Sequence, residues 1–239
     1  MATTVPFSRL QDMTTAIVLG SNSDIAKALT PMLMADGWDV VGWSRREQLP
    51  EVNWDLLLIA LGRVAPVRHW WEPDDGEWYE CFRSNLLLPI RLLRELWAFR
   101  NHNARVCFMA GSNPNSILSG YSAYNVSKMA LLKLCEQLDH ETPGIVFFAL
   151  GPGITDTKIH DATKQAQWPN PRLERAMKDG SFTKMEDIYA CLKWAIAQPK
   201  EVIGGRNICV SDPWKEKWFA ETLALQPSRL KLRRDDKIV

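Results

Sequence analysis

Thr15-Ala16-Ile17-Val18-Leu19-Gly20-Ser21-Asn22-Ser23-Asp24-Ile25-Ala26 passes within twelve residues from an apolar run, through a glycine, into a helical pattern. Residues 15–19 show no polar alternation, as in a strand buried on both faces. Ile25, Leu29 and Leu33 recur at helical spacing until Gly37 supplies a stop. Pro31 lies inside that helix and is expected to kink or loosen it. A glycine here lets the backbone turn tightly, so the free amides of the helix start lie at the strand's carboxyl end. An ordinary tight turn has the same letters, because Asp24 and Ala26 stand where a dinucleotide-binding turn prefers glycine.

Outward from this unit the alternation continues. Strands are predicted at residues 38–43, 55–60, 105–110, 145–150 and 207–210, and helices at 75–100, 122–140 and 185–198. Such alternation implies an α/β fold, a doubly wound parallel sheet of Rossmann-like type with helices on both faces in three layers. Ligands collect at the carboxyl ends of the strands in such sheets. No linker or internal repeat marks a second domain. Residues 14–226 are expected to form one domain, after a loose extension at 1–13 and before a basic tail at 227–239.

Bulk properties narrow the function classes. The 239 residues carry a net charge of +1, so no global field draws the chain to nucleic acid or an anionic membrane. Five cysteines without close spacing read as buried free thiols in a reducing compartment. Four scattered histidines show no metal-ligand spacing. No apolar run approaches the roughly 20 residues of a membrane span, and residues 1–13 lack the apolar centre of a secretion signal. The expectation is a cytoplasmic protein with no metal.

A few residues carry chemistry. Tyr124 and Lys128 are four apart on a predicted helix and point the same way. An ammonium beside a phenol favours phenolate, so the pair is expected to bring the tyrosine pKa down toward neutrality. Such pairs also occur on surface helices with no function. Ser112 follows the strand at 105–110 and precedes Tyr124 by twelve residues; it can hold a carbonyl oxygen or simply turn the chain. Asn85 sits inside the long helix, and four residues on is Pro89, which has no N–H for the Asn85 carbonyl. That carbonyl is expected to be open to a water, with a kink in the helix.

Taken in order, the glycine turn, Asn85, Ser112, Tyr124 with Lys128, and Leu150-Gly151-Pro152-Gly153-Ile154-Thr155-Asp156-Thr157 resemble the short-chain dehydrogenase/reductase family, from Thr15 to about Val210. The resemblance implies hydride transfer between a nicotinamide cofactor and a small carbonyl or alcohol substrate. Tyr124 would be the acid/base, Lys128 would hold the nicotinamide ribose, and Ser112 would orient the reacting oxygen. Asn85 would hold the water of a proton relay. Gly20, Ser21, Asn22, Ser23, Asp24, Ile25, Ala60, Leu61 and Gly62 would line the cofactor. Pro152 and Gly153 would shape a loop from which Ile154 and Thr157 contact it.

Cofactor choice turns on Ser44, Arg45 and Arg46 at the end of the second strand. Arginine there suits the 2′-phosphate of NADP(H) over NAD(H), although either arginine can merely solvate a loop. The chain departs from the family pattern in two of the three turn glycines. Ile59-Ala60-Leu61-Gly62 replaces Asn-Asn-Ala-Gly, and the serine-to-tyrosine spacing is one residue short. Only ten residues, Arg45 to Trp54, join the second strand to the next, too few for the family's helix, strand and helix. A sheet of order 2-1-3-4-5-6 follows, lacking the usual third strand. Its edge at 38–43 is expected to be covered by residues 47–53, a partner subunit or charge.

The same resemblance implies a homodimer or homotetramer through the helices carrying Asn85 and Tyr124. A nucleotide-sensing protein without turnover, or a sugar epimerase, are the alternatives on the same fold. Trp70, Trp71, Trp168 and Trp214 fall in loops at the active end, either as a platform for a ring-shaped or sugar substrate or as core.

Overall fold

The computed structural model describes residues 15–45, 47–72, 75–111, 117–168 and 170–233. Its elements run β1 Thr15–Leu19, α1 Asp24–Ala35, β2 Asp39–Trp43, β3 Trp54–Ile59 and α2 Glu77–Phe82. A π-helical turn, Arg83–Leu87, leads into α3 Leu88–Leu96. There follow β4 Arg100–Met109, α4 Ser122–Glu141, β5 Val146–Gly151, α5 Asp161–Lys164, α6 Pro171–Asp179, α7 Met185–Ala197, α8 Lys200–Ile203, β6 Asn207–Cys209 and α9 Lys217–Leu225.

All five strand pairs are parallel and the order is β2-β1-β3-β4-β5-β6. This is the expected sheet, with β2 at an edge and no strand beyond it among the described residues. Beyond β2, Trp43 Nε1 donates to the Glu47 carbonyl at 2.9 Å, and Leu49 packs against the core.

Because neighbours on a strand point to opposite faces, each apolar run feeds two cores. Ala16, Val18, Leu56 and Leu58 pack with α1, α7 and α9, while Ile17, Leu19, Leu57 and Ile59 pack with α3 and α4. Burying one such side chain contributes about 1.5–3 kcal/mol. Continuous runs are therefore stable only as central strands covered on both sides.

α1 runs unbroken through Pro31. The helix expected at 75–100 is broken up. Leu88 N–H donates to the Arg83 carbonyl five residues back, and the π turn so formed contains Asn85. Such a turn adds one residue to a helix and shifts its faces. Pro89 lies just beyond it, buried near the start of α3. β4 also starts earlier than expected, at Arg100, with its register against β3 shifted between Trp54 and Leu56.

The described part of the basic tail is tied to the domain, with Leu230, Lys231 and Leu232 half-buried and Arg229 and Arg233 exposed. Leu230 O accepts from Asn207 N at 3.1 Å, and Arg233 donates to Glu136. Arg206 is fully buried beneath this segment and donates to the carbonyls of Glu201, Val202, Leu223, Gln226 and Arg229. No helix of the described residues is long and apolar enough to cross a membrane, and no cluster of metal-ligating side chains occurs among them.

Candidate active site

The β1–α1 turn is closed by backbone bonds. Gly20 N and Ser21 N both donate to Trp43 O, at 2.9 and 3.0 Å, and Ala60 N donates to Leu19 O. Gly20 has φ +83°, and a Cβ there would fall 2.9 Å from the Ala60 carbonyl oxygen, so glycine is required. Ser23 caps α1 by accepting from Ala26 N at 3.2 Å. The amides of Asp24 and Ile25 are left among the helix's orphan donors.

A pocket of about 440 Å³ opens beside this turn, at the carboxyl ends of the strands. Asn22, Ser23, Asp24 and Ile25 line it from the α1 start, Ala60, Leu61 and Gly62 from the loop after β3, and Pro152, Gly153, Ile154 and Thr157 from the loop after β5. Tyr124 and Lys128 line it from α4. Gly153 is also obligatory: at φ +82° its Cβ would lie 2.1 Å from Thr183 Oγ1. Thr183 N donates to Ile154 O at 2.7 Å, and Thr155 and Thr157 hydroxyls meet at 3.3 Å. Asp24 Oδ2 accepts from Lys158 N at 2.8 Å, joining the loop after β5 to the start of α1.

Tyr124 and Lys128 share a helix face but not the proton relation expected of them. Lys128 is buried, its Nζ donates to the Met109 carbonyl at 2.8 Å, and it lies 6.0 Å from the Tyr124 ring centroid. Burial pulls the ammonium pKa down to about 8. Burial first, then the nearby Cys81 thiol and Tyr121, push the Tyr124 phenol up to about 12. The expected lowering of the tyrosine pKa is therefore corrected: desolvation raises it, the ammonium turns to the Met109 carbonyl, and the phenol keeps its proton at neutral pH.

Asn85 is fully buried and does not line the pocket. Its Oδ1 accepts from Arg63 N at 2.8 Å, and its Nδ2 donates to Arg63 O at 2.9 Å and to Ser127 Oγ at 2.8 Å. Ser127 Oγ donates in turn to Tyr124 O at 2.8 Å. Cys81 completes the cluster, its Sγ 3.3 Å from Asn85 Nδ2 and from Arg63 O. The π turn, the loop after β3 and the Tyr124 helix are thus tied at one point.

Other expected residues fall elsewhere. Ser44 N donates to Glu47 Oε2 at 2.5 Å, and Arg45 Nη2 donates to Ser84 Oγ at 3.1 Å; neither residue lines the pocket. Ser112 and Arg46 lie outside the described residues. Trp214 is core, 7% exposed and bonded through Nε1 to Val210 O, and not part of any platform. Trp70, Trp71 and Trp168 do gather, around His69.

Sequence reading missed Tyr121, Asn125, His160, Asn170 and Arg172, all of which line the pocket. One signal was present: Asn170-Pro171 is a cap followed by a first-turn proline, and Asn170 Oδ1 does accept from Arg172 N and Leu173 N. Tyr121 OH donates to Thr163 Oγ1 at 2.9 Å, a partnership forty-two residues apart that no local pattern announces.

No family model matches the chain. An uncharacterized oxidoreductase of Bacillus subtilis, YvaG, is 24% identical over 230 residues, covering 79% of this chain and 85% of that protein. Among solved structures, the short-chain dehydrogenase/reductase YIR035C of Saccharomyces cerevisiae superposes with a TM-score of 0.71 at 19% identity. The match covers 84% of this chain and 97% of that one. A small-chain dehydrogenase in complex with NADPH gives 0.70 at 19% identity, over 83% and 96%.

Proposed function

We propose that this chain, a short-chain dehydrogenase/reductase by its fold and its sequence relatives, is an NADP(H)-dependent carbonyl reductase or alcohol dehydrogenase in which Tyr124 moves the proton. The observation that carries this reading is the shared pocket: the Tyr124 phenol lines the same cavity as the α1 start and the loop 152–157. The residues present fit a nicotinamide dinucleotide, with orphan helix amides suited to an anion and glycines that keep the loops around the cavity close. Such a cofactor, when bound, supplies or takes up the hydride.

In reduction, the protonated Tyr124 hydroxyl donates to the carbonyl oxygen; in oxidation it accepts the alcohol proton. Lys128 spends one of its three donors on Met109 O. The others are its means of holding ribose hydroxyls. Asn85, through Arg63 and Ser127, fixes both the loop after β3 and the carbonyl of Tyr124, and its own backbone carbonyl would hold the relay water. Ser112 would orient the substrate oxygen. Arg45 supports NADP(H) over NAD(H): it sits just past β2 with one donor on Ser84, and a 2′-phosphate would pair with the rest of its guanidinium.

Exposed Leu87 and Val126, on the elements that carry Asn85 and Tyr124, support a homodimer or homotetramer through this face. Five buried free cysteines support a reducing, cytoplasmic location. The test is isotopic. NADPH deuterated at the transferable position is incubated with the protein and a panel of ketones and aldehydes, and the alcohols are analysed by mass spectrometry. Deuterium on the carbinol carbon supports direct transfer; no alcohol from any member, or alcohol without the label, overturns it.

A further inference from the structure

The exposed aromatic residues beside the pocket are not explained by the chemistry above. Trp70 and Trp71 are 75% and 62% exposed, whereas Trp38, Trp43, Trp54 and Trp214 are buried. His69 stacks on Trp71 with ring centroids 4.1 Å apart and 10° between planes, and Trp168 meets His69 edge-on at 4.1 Å. Trp70 stands at 88° to Trp71. An indole left in water forfeits much of the burial that normally holds it in place. Here the surrounding chain fixes the group instead.

The fixing bonds are specific. His69 N donates to Glu72 Oε2 at 3.2 Å, and Arg68 N donates to Gly120 O at 3.0 Å. Arg63 and Arg68 both pair with Glu77, at 2.9 and 3.1 Å. Trp168 packs on Gly120 so closely that a Cβ there would lie 3.0 Å from its Cδ1. The platform is therefore built before any ligand arrives, which removes an ordering cost from binding.

It lies beside the pocket, although none of its four aromatic residues lines the cavity itself. Gly120 lies between Leu118 and Tyr121, and Asn170 is two residues past Trp168; all three of those neighbours line the cavity that holds Tyr124. We propose that His69, Trp71 and Trp168, with Trp70, form a stacking subsite for an aromatic ring at the far end of the carbonyl substrate. This rests on the reductase reading and names the substrate class it leaves open.

Two observations favour an aromatic ring over a sugar or a second copy of the chain. The charged side chains at the platform's base, Arg63, Arg68 and Glu77, are paired with one another rather than presented to equatorial hydroxyls. Apolar Leu118, Val64 and Leu61 are among the residues that line the neighbouring cavity. The two exposed indoles, Trp70 and Trp71, offer roughly 300–500 Å², whereas a stable dimer needs on the order of 800 Å² from each partner.

The experiment compares butanone with ω-phenyl alkanones of increasing chain length, followed by NADPH oxidation, in the wild type, Trp71→Ala, Trp168→Ala and Trp71→Phe. Binding of a non-reducible ω-phenyl alkanamide to the NADPH-loaded protein is measured by calorimetry in parallel. The ratio of kcat/KM for the best phenyl ketone over butanone should fall roughly tenfold in both alanine variants and be largely retained by Trp71→Phe. Amide binding should weaken in step. An unchanged ratio together with unchanged amide binding overturns the subsite, as does dissociation of a wild-type oligomer by Trp71→Ala. If no carbonyl is reduced yet amide binding is weakened by the alanine changes, the subsite stands and the reductase reading fails.

Discussion

Asn85 and Arg63 are joined in both directions: the Arg63 N–H donates to Asn85 Oδ1 at 2.8 Å, and the Arg63 carbonyl accepts from Asn85 Nδ2 at 2.9 Å. One side-chain amide thereby replaces a strand partner for a peptide group in the loop after β3. Asn85→Ala would leave the Arg63 N–H without this partner and its carbonyl with the Cys81 thiol alone, at about 1–3 kcal/mol for an unsatisfied buried group. The melting temperature should fall by roughly 5–15 °C. Differential scanning calorimetry checks this, and an unchanged Tm would show that the clamp is incidental.

Lys128 gives a stability prediction whose sign is set by its pKa. The folded value of about 8 lies below the ordinary 10.5. Below pH 8 the folded chain must hold a desolvated ammonium. Between about 8 and 10.5 the unfolded chain binds more protons, so stability rises with pH across that window. Lys128→Met should raise stability near neutral pH by about 1–3 kcal/mol while slowing catalysis. The gap to the wild type should close toward pH 10.5. A constant gap across the window would show that the ammonium is not strained by burial.

Much of this arrangement was legible in the sequence, for a physical reason. Apolar runs bounded by glycine or polar turns locate central strands to within a residue or two, the polar start of β4 excepted. The ten residues from Arg45 to Trp54 were enough to remove a strand from the sheet. What local reading lost was set by distant partners. Pro89 announced a disturbance in the helix, but the π turn depends on where Leu88 and Arg83 bond, in the segment Asn85 ties to Arg63 and Ser127. The i, i+4 pairing of Tyr124 with Lys128 placed both in one pocket. It mispredicted the tyrosine's pKa because burial is a property of the whole fold and the ammonium turns to Met109. The polar start of β4, Arg100-Asn101-His102-Asn103, carries no strand signal and is anchored to β3 where Arg100 pairs with Trp54 and Asn101 Nδ2 donates to Asp55 Oδ1.

Arg45 supplies the prediction on cofactor choice. Its guanidinium spends one donor on Ser84 at 3.1 Å, and charge-assisted bonds to a phosphate contribute about 1.5–3 kcal/mol. Arg45→Ala should weaken NADPH binding by about 10–100-fold and NADH binding far less, measured by titration with both nucleotides. Equal weakening of the two, or none, would remove Arg45 from the 2′-phosphate.

The central claim is that the Tyr124 hydroxyl transfers the proton, and Tyr124→Phe tests it most directly because it deletes one oxygen and keeps the ring. Single-turnover reduction and NADPH affinity are measured on the same variant, using a ketone that the wild type reduces. The account predicts a rate lower by about 10²–10⁴-fold, with the NADPH Kd within about twofold of the wild type. A phenylalanine variant that reduces the ketone at the wild-type rate would contradict it.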